Sequence, residues 1–227
     1  MKKSVCLLLL ALLLAGCGRE VAMVTEPVQT RPVLTEPVET EVAWTEPTED
    51  SFVRVIDYIP TIRQELRYAT EENFTGQVIY DFQDAYLRYG TVKKLKAVCE
   101  DLAQMGIYLK IWDGFRPTTA QFTLWEVCPD KTYVADPNTG FSSHSRGNTV
   151  DVTLVDANGT EFPMPTGFDD FTAKADRDYS DCTEQERNNA MILELIMEKH
   201  GFKGYAGEWW HYSDTDSYPV EEIFVPG

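Results

Sequence analysis

The sequence predicts a single α+β domain, in which a central and mainly antiparallel sheet is flanked by helices. Two segments, 91–105 and 183–200, have apolar residues at the spacing of amphipathic helices. Shorter segments at 107–112, 150–154 and 209–212 fit strands. Because helices and strands are mixed without a strict β-α-β rhythm, an α+β arrangement fits better than a parallel α/β sheet.

The helices have recognisable ends. In the segment 91–105, Thr91 is placed to cap the helix and Gly106 to end it. Cys99 falls on the core-facing side of this helix, where we expect it to behave as a small buried hydrophobe. A further helix is predicted over 117–127. It would begin with Pro117, and proline is tolerated in the first turn of a helix.

Turn and capping residues delimit the second half of the chain. Asn158-Gly159 is a tight-turn sequence, predicted to close a hairpin between the strand at 150–154 and residues 161–164. Thr183 and Glu186 have the spacing of a capping box, which opens the helix that ends before Gly201.

The first sixteen residues have the features of a bacterial lipoprotein signal peptide. Lys2 and Lys3 precede an apolar stretch too short to span a bilayer with margin, and Ala15-Gly16-Cys17 resembles a lipobox. Lipidation of Cys17 would add the acyl chains that stable anchoring needs. We therefore predict a lipid-anchored protein on the extracytoplasmic face of the cell membrane, the alternative being an ordinary secretory signal with an incidental cysteine.

Residues 17–50 are predicted to form a disordered tether. The tripeptide Thr-Glu-Pro recurs there at intervals of ten residues, and aromatic residues are scarce. Such a composition cannot bury enough apolar surface to offset the entropy of ordering. One folded domain is therefore expected over 51–227.

Charge and cysteine content restrict the partners and the crosslinks. The formal net charge of −17 argues against nucleic acid, and against membrane contact other than through the lipid anchor. Outside the signal and lipobox, Cys99, Cys128 and Cys182 remain, so at most one intramolecular disulfide can form. A bridge between Cys128 and Cys182 is one option that the sequence leaves open.

Two short motifs contain the candidate chemistry. The chain has three histidines, and two of them, His144 and His211, have a carboxylate nearby in sequence, Asp151 and Glu208. Two imidazoles and one carboxylate make a zinc set with a fourth position open for water. The other carboxylate is then free to act as a base, and the pattern predicts a zinc hydrolase. His200, in contrast, lies in the last turn of a predicted helix, where the helix dipole favours a positive charge.

Two further features refine the candidate site. Glu208 and His211 are three residues apart, which in a flat strand would put them on opposite faces, so we predict a turn or bulge there. Arg116 follows a predicted strand and precedes a predicted helix. Its guanidinium either forms a salt bridge with Asp113 or stabilises an oxyanion opposite the metal.

These motifs resemble a known family. They are Ser142-x-His144-x-x-Gly147-x-Thr149-x-Asp151 and Glu208-x-Trp210-His211. The pattern is similar to that of the D-alanyl-D-alanine dipeptidases of the VanX type, zinc D,D-peptidases that share the fold of the Hedgehog N-terminal domain. Further matches follow in family order over essentially all of 51–227: Tyr68-Ala69-Thr70, Asn73-Phe74-Thr75-Gly76, the run 112–117 and Phe168-Asp169.

The resemblance implies a role for each of eight residues. It implies that zinc, one ion per domain, is bound by His144, Asp151 and His211. Glu208 would be the general base and Arg116 would stabilise the transition state. Tyr68 and Asp169 would receive the substrate ammonium, and Ser142 would lie near the substrate carboxylate. One departure from the family pattern is Thr149, where the motif usually has alanine.

The resemblance also implies a reaction. The expected activity is zinc-dependent hydrolysis of D-alanyl-D-alanine to two D-alanines, outside the cytoplasmic membrane, in peptidoglycan turnover. One alternative is a D,D-carboxypeptidase that removes the terminal D-Ala from peptidoglycan stem peptides. Another is a wall-binding module that retains zinc without catalysis, which the presence of Glu208 and Arg116 argues against.

Overall fold

The computed structural model describes residues 45–227. The predicted signal peptide at 1–16, the lipidation site Cys17 and residues 18–44 of the predicted tether lie outside the described residues. Within the described part, no helix combines the length and the apolar character that a membrane crossing requires.

Four α-helices and seven strands make up the described domain. The helices are α1 (Val55–Tyr58), α2 (Tyr89–Gln104), α3 (Thr118–Val127) and α4 (Glu184–Lys199). The strands are β1 (Phe52–Arg54), β2 (Arg63–Gln64), β3 (Tyr86–Arg88), β4 (Tyr108–Asp113), β5 (Thr149–Val155), β6 (Phe202–Tyr205) and β7 (Glu208–Asp214). Short 3₁₀ turns lie at Arg67–Ala69, Ser143–Arg146 and Ala173–Ala175.

The central sheet has five strands in the order β2-β4-β5-β7-β6. The pairs β4–β5, β5–β7 and β6–β7 are antiparallel, and β2 joins β4 in parallel. β1 and β3 form a separate antiparallel pair. The prediction of a single α+β domain with a mainly antiparallel sheet is confirmed.

The middle strand β5 is buried along its whole length. Its side chains alternate between the two faces of the sheet. Val150, Val152 and Leu154 join the apolar core on one face, and Asp151 lies on the opposite face with Thr149 and Thr153. The carboxylate of Asp151 is therefore presented from a strand that is buried along its whole length.

The compact unit extends further towards the N terminus than predicted. It begins at Thr45, whereas the sequence placed the domain boundary between residues 50 and 51. The Tyr89 hydroxyl donates to the Glu46 carboxylate at 2.7 Å, and the Gly90 N–H donates to the Glu49 carbonyl at 3.0 Å. These contacts attach residues 45–50 to the start of α2.

The helix at 91–105 was predicted with the wrong start. α2 begins at Tyr89, directly after β3, and Thr91 does not cap it. The Thr91 hydroxyl instead donates to the buried Asp214 carboxylate at 2.8 Å. Met105 follows the last helical residue and is 49% exposed, so it does not belong to the core face. The predicted stop at Gly106 is confirmed by its left-handed φ of 71°.

The predicted turn after β5 is present, but the predicted hairpin is not. Gly159 has a left-handed φ of 87°, and the Asp156 N–H donates to the Thr160 carbonyl at 2.9 Å. Beyond this turn only Val155 and Glu161 form a bridge, and residues 161–164 are not a strand. The capping box of Thr183 is confirmed.

Cysteine positions agree with the core prediction and exclude the disulfide option in this structure. Cys99 is buried on α2. Cys128 and Cys182, like Cys99, are free thiols. The bridge that the sequence left open is therefore not formed.

Candidate metal centre and substrate pocket

The metal candidates meet where β5 and β7 are paired. Asp151 lies directly opposite His211 in the antiparallel register, so both side chains emerge on the same face. His144 comes from the 3₁₀ turn just before β5. Ser142 caps that turn, because its hydroxyl accepts the His144 N–H at 3.4 Å, and Gly147 ends it with a left-handed φ of 74°.

The three side chains fit a divalent cation. The Nδ1 atom of His211 lies 3.1 Å from one oxygen of Asp151, and the Nε2 atom of His144 lies 3.4 Å from the other. One donor atom from each residue lies within 4.8 Å of the others. The Asp151 Oδ1 atom is buried without a hydrogen-bond partner, which is costly unless a cation completes the group. Two nitrogen donors and one oxygen donor suit catalytic zinc.

Neighbouring groups orient both imidazoles. The Nδ1 atom of His144 lies 2.8 Å from the Gly114 carbonyl and donates to it if it carries the proton, which leaves Nε2 for the metal. The Nε2 atom of His211 lies 3.3 Å from the Ser143 hydroxyl, which leaves Nδ1 for the metal. The sequence analysis did not identify Ser143 as a site residue. The only indication in the sequence was its position next to His144 in the motif.

Glu208 lies beside the metal set without belonging to it. Its carboxylate is 3.5 Å from the Nδ1 atom of His211. The ladder between β6 and β7 shifts register between Gly204 and Tyr205, which confirms the predicted bulge and places Glu208 on the same face as His211. Burial, and then the negative charge of Asp151, raise the pKa of Glu208 above the ordinary value for glutamate. A raised pKa suits a group that must accept and then return a proton.

Arg116 forms the salt bridge that the sequence left open, and it also lines the cavity. Its guanidinium donates to the Asp113 carboxylate at 2.7 Å, and it also lines the pocket, 4.9 Å from the centre of the Tyr68 ring. The salt bridge and the pocket position are therefore compatible. A guanidinium already held by a carboxylate needs little reorganisation to stabilise an oxyanion.

Asp113 is a site residue that the sequence indicated only as a partner for Arg116. Its side chain is fully buried, and one oxygen accepts hydrogen bonds from the Tyr80 hydroxyl and the Gly114 N–H, each at 2.8 Å. The other oxygen holds Arg116 and lies 3.6 Å from the Nδ1 atom of His144. Asp113 thus supports the arginine and one candidate metal ligand together.

One cavity of about 100 Å³ brings together every residue that the sequence assigned to the site. Those residues are Tyr68, Arg116, Ser142, His144, Asp151, Asp169, Glu208 and His211. Tyr133, Ala135, Phe171 and Trp210 complete the walls. Trp210 belongs to the motif that contains Glu208 and His211, although the sequence analysis assigned it no role, whereas the other three lie on segments without a motif and were not identified from the sequence.

Asp169 provides a second acidic position in this cavity. It is a non-glycine residue with a left-handed φ of 57°, a conformation that the surrounding structure must hold in place. Its carboxylate accepts hydrogen bonds from the Tyr68 hydroxyl at 3.3 Å and the Phe74 N–H at 3.4 Å. Burial, and then the charge of Asp151, raise the pKa of Asp169 to about 7. A buried carboxylate of this kind suits a cationic ligand group.

Thr149, which departs from the alanine of the family motif, has a hydrogen-bond partner in the sheet. Thr149 lies opposite Ser213 on β7, and the two hydroxyls share a hydrogen bond of 2.8 Å. This contact is two pairing steps along the β5–β7 ladder from Asp151 and His211. The extra hydroxyl is therefore satisfied within the sheet.

A buried His-Asp-His set, an adjacent glutamate and an arginine in one cavity define a metallopeptidase centre. The family model for D-Ala-D-Ala dipeptidases of peptidase family M15 matches residues 48–225. The chain belongs to this D-Ala-D-Ala dipeptidase family of zinc metallopeptidases.

Curated relatives agree with the family assignment. The D-alanyl-D-alanine dipeptidase of Escherichia coli K12 is 37% identical over 164 residues, covering 71% of this chain and 84% of the relative. That of Enterococcus faecium is 31% identical over 203 residues, covering 78% of this chain and 98% of the relative.

Solved structures resemble the chain more distantly. A mutant of the vancomycin-resistance D,D-pentapeptidase VanY in complex with Zn(II) is 16% identical, with a TM-score of 0.40, and the match covers 58% of this chain and 74% of that one.

Proposed function

We propose that this protein binds one zinc ion and hydrolyses D-alanyl-D-alanine to two D-alanines outside the cytoplasmic membrane, in peptidoglycan turnover. The observation that supports this most directly is the shared cavity of the metal set and Asp169. One end offers a site for amide hydrolysis, and the other offers a buried carboxylate for a free ammonium. The names of the curated relatives support the same substrate.

The residues divide the reaction between them. His144, Asp151 and His211 would hold the zinc, which would supply Lewis acidity and lower the pKa of the attacking water. Glu208 accepts the proton of the attacking water and returns it to the leaving amine as the C–N bond breaks. Arg116, fixed by Asp113, holds the oxyanion that develops on the substrate carbonyl.

The substrate ends are oriented by residues away from the metal. Asp169 and the Tyr68 hydroxyl accept the ammonium of the first D-alanine, and Ser142 lies near the carboxylate of the second. In this arrangement the amide bond would lie at the metal set, between Asp169 and Ser142. Positioning of this kind can account for several kcal/mol of a reaction barrier.

The wall behind Asp169 favours a dipeptidase over a carboxypeptidase. Phe74 donates its N–H to Asp169, and its ring packs edge-on against Phe171 at 5.6 Å. Phe171 in turn contacts Tyr133 at 5.2 Å. A stem peptide has no free ammonium at this position, so it would leave the Asp169 carboxylate without a cation.

Product analysis tests the proposal against its alternatives. The zinc-loaded protein is incubated with D-Ala-D-Ala and, separately, with an N-acylated peptide ending in D-Ala-D-Ala, and products are measured by mass spectrometry. We expect free D-alanine from the dipeptide with a kcat/KM at least ~10²-fold higher than for the acylated peptide, because the acylated peptide leaves a buried carboxylate unpaired. Equal or faster cleavage of the acylated peptide would support the carboxypeptidase. No cleavage of either would support a non-catalytic module.

Membrane attachment is proposed to depend on Cys17. In a bacterial host, the wild-type protein should fractionate with membranes and carry acyl chains detectable by mass spectrometry. Cys17→Ala should remove the acylation and release the protein from the membrane fraction, because the anchor is the lipid alone. Cys6→Ala, a change within the predicted signal peptide, is the matched control and should still yield lipidated protein. A membrane-bound Cys17→Ala protein of unchanged mobility would refute the lipobox assignment.

A further inference from the structure

The hairpin that carries the proposed base has an irregular ladder. Gly204 of β6 pairs with Tyr212 of β7, whereas the next β6 residue, Tyr205, pairs with Glu208. Residues 209–211 of β7 therefore have no partners on β6. A bulge of this kind removes backbone groups from the regular ladder, and those groups need other partners.

One buried side chain supplies those partners. The Nη2 atom of Arg177 donates to the carbonyls of Trp209 and His211, each at 3.0 Å. Its Nε atom donates to the Tyr205 carbonyl at 2.8 Å, and its backbone N–H donates to the Ala206 carbonyl at 3.1 Å. Arg177 therefore connects the strand before the turn with the bulged strand after it.

The surroundings are shaped for this guanidinium. It lies over the ring of Tyr212 at 4.3 Å, and its Nη1 atom donates a hydrogen bond to the Tyr212 hydroxyl oxygen at 3.0 Å. A Cβ atom on Gly204 would overlap the guanidinium, so glycine leaves the space that Arg177 fills. The segment around Arg177 is fixed by Ala175, which is fully buried, and by the Tyr179 hydroxyl, which donates to Glu194 of α4 at 3.0 Å.

We propose that Arg177 is a positioning residue for the metallopeptidase centre, which holds the β7 bulge so that Glu208 and His211 point into the same cavity. It acts through the backbone, since its hydrogen bonds to the hairpin end on carbonyls and on Tyr212, and not on the Glu208 carboxylate. The planar fork of arginine is needed because one guanidinium must reach carbonyls on both sides of the turn. The catalytic part of this inference rests on the proposed function.

Four variants, including the conservative Arg177→Lys, separate this role from a general effect on folding. Arg177→Ala removes the hairpin contacts. Gly204→Ala keeps the arginine but displaces its guanidinium. Lys174→Ala is the matched control, because Lys174 lies in the same segment and forms a salt bridge with Glu186 of α4. For each we would measure the thermal midpoint, zinc affinity by chelator competition without substrate, and kcat and KM for D-Ala-D-Ala at saturating zinc.

We expect Arg177→Ala and Gly204→Ala to weaken zinc binding about 10-fold or more and to lower kcat by ~10- to 100-fold, in the range for residues that orient metal ligands. KM should change less than kcat, because the hydrogen bonds of Asp169 are with Tyr68 and Phe74 and not with the hairpin. Arg177→Lys should recover only part of the loss in zinc affinity and kcat, because an ammonium can donate to fewer of the carbonyls than a guanidinium can. Lys174→Ala should match the wild type in zinc affinity and kcat.

Two outcomes would overturn the inference. One is wild-type zinc affinity and kcat in folded Arg177→Ala. The other is a lower thermal midpoint with unchanged zinc affinity and kcat per folded molecule, which would make Arg177 merely structural. Inactivity of the wild type on D-Ala-D-Ala would count against the proposed function instead, and the zinc-affinity comparison would still decide the role of Arg177.

Discussion

Replacing Glu208 by glutamine should abolish most of the turnover while leaving the zinc in place. Glutamine preserves the size of the side chain but cannot accept the proton of the attacking water. We expect kcat to fall by ~10²-fold or more, the usual contribution of a positioned acid–base group. The zinc content should stay near that of the wild type, because the cation set is formed by His144, Asp151 and His211.

The control for this prediction is a pair of histidine variants. His211→Ala removes a proposed ligand and should lose both the metal and the activity. His200→Ala changes a histidine that contacts Asp101 at 2.7 Å, outside the cavity, and should lose neither. Metal analysis and kinetics on the same preparations decide the matter. Loss of zinc from Glu208→Gln would mean that Glu208 is a ligand, and an unchanged kcat would mean that it is not the base.

Replacing Asp169 by asparagine should remove most of the preference for a free amine. Asparagine tolerates the left-handed backbone at this position and keeps the size of the side chain, so the change is mainly one of charge. An ammonium left unpaired in a buried site costs several kcal/mol, so kcat/KM for D-Ala-D-Ala should fall by ~10²-fold or more. The value for an N-acylated substrate should change little. Asp170→Asn, beside it but outside the cavity lining, is the control.

The pH dependence gives a second test of Asp169. Burial, and then the charge of Asp151, raise its pKa to about 7, and zinc bound by Asp151 would lower this pKa by offsetting part of that charge. Below its pKa the carboxyl is neutral and cannot pair with the ammonium. The KM for D-Ala-D-Ala should therefore rise as the pH falls through that value, and Asp169→Asn should lack this rise. An equal loss of kcat/KM on both substrates would show that Asp169 does not recognise the amine. The same conclusion would follow if KM rose at low pH in Asp169→Asn as it does in the wild type.

The longer elements were predictable because each has a local pattern. α2 and α4 have apolar residues at helical spacing, and the capping box of α4 is contained in four consecutive residues. β1, β2 and β3 have only two or three residues each, too few to show any periodicity. Their strand conformation depends on partners far along the chain, such as β4 for β2. The segment 161–164 follows a tight-turn sequence and was predicted to pair with the strand before it, but it forms only one bridge.

The sequence by itself determined the chemical types in the site. Two histidines, their adjacent carboxylates and an arginine lie in short motifs, and residue type and spacing suffice to indicate a zinc hydrolase. The family assignment follows from the same residues and is confirmed by the family match.

Only the tertiary structure decided how these groups act together. The register of β5 against β7 sets Asp151 opposite His211, and the bulge that Arg177 contacts turns Glu208 to the same face. Burial raises the pKa of Asp169, a residue in a segment without secondary structure. Register, burial and the distance between segments depend on contacts between residues far apart in the chain, and no local pattern encodes them.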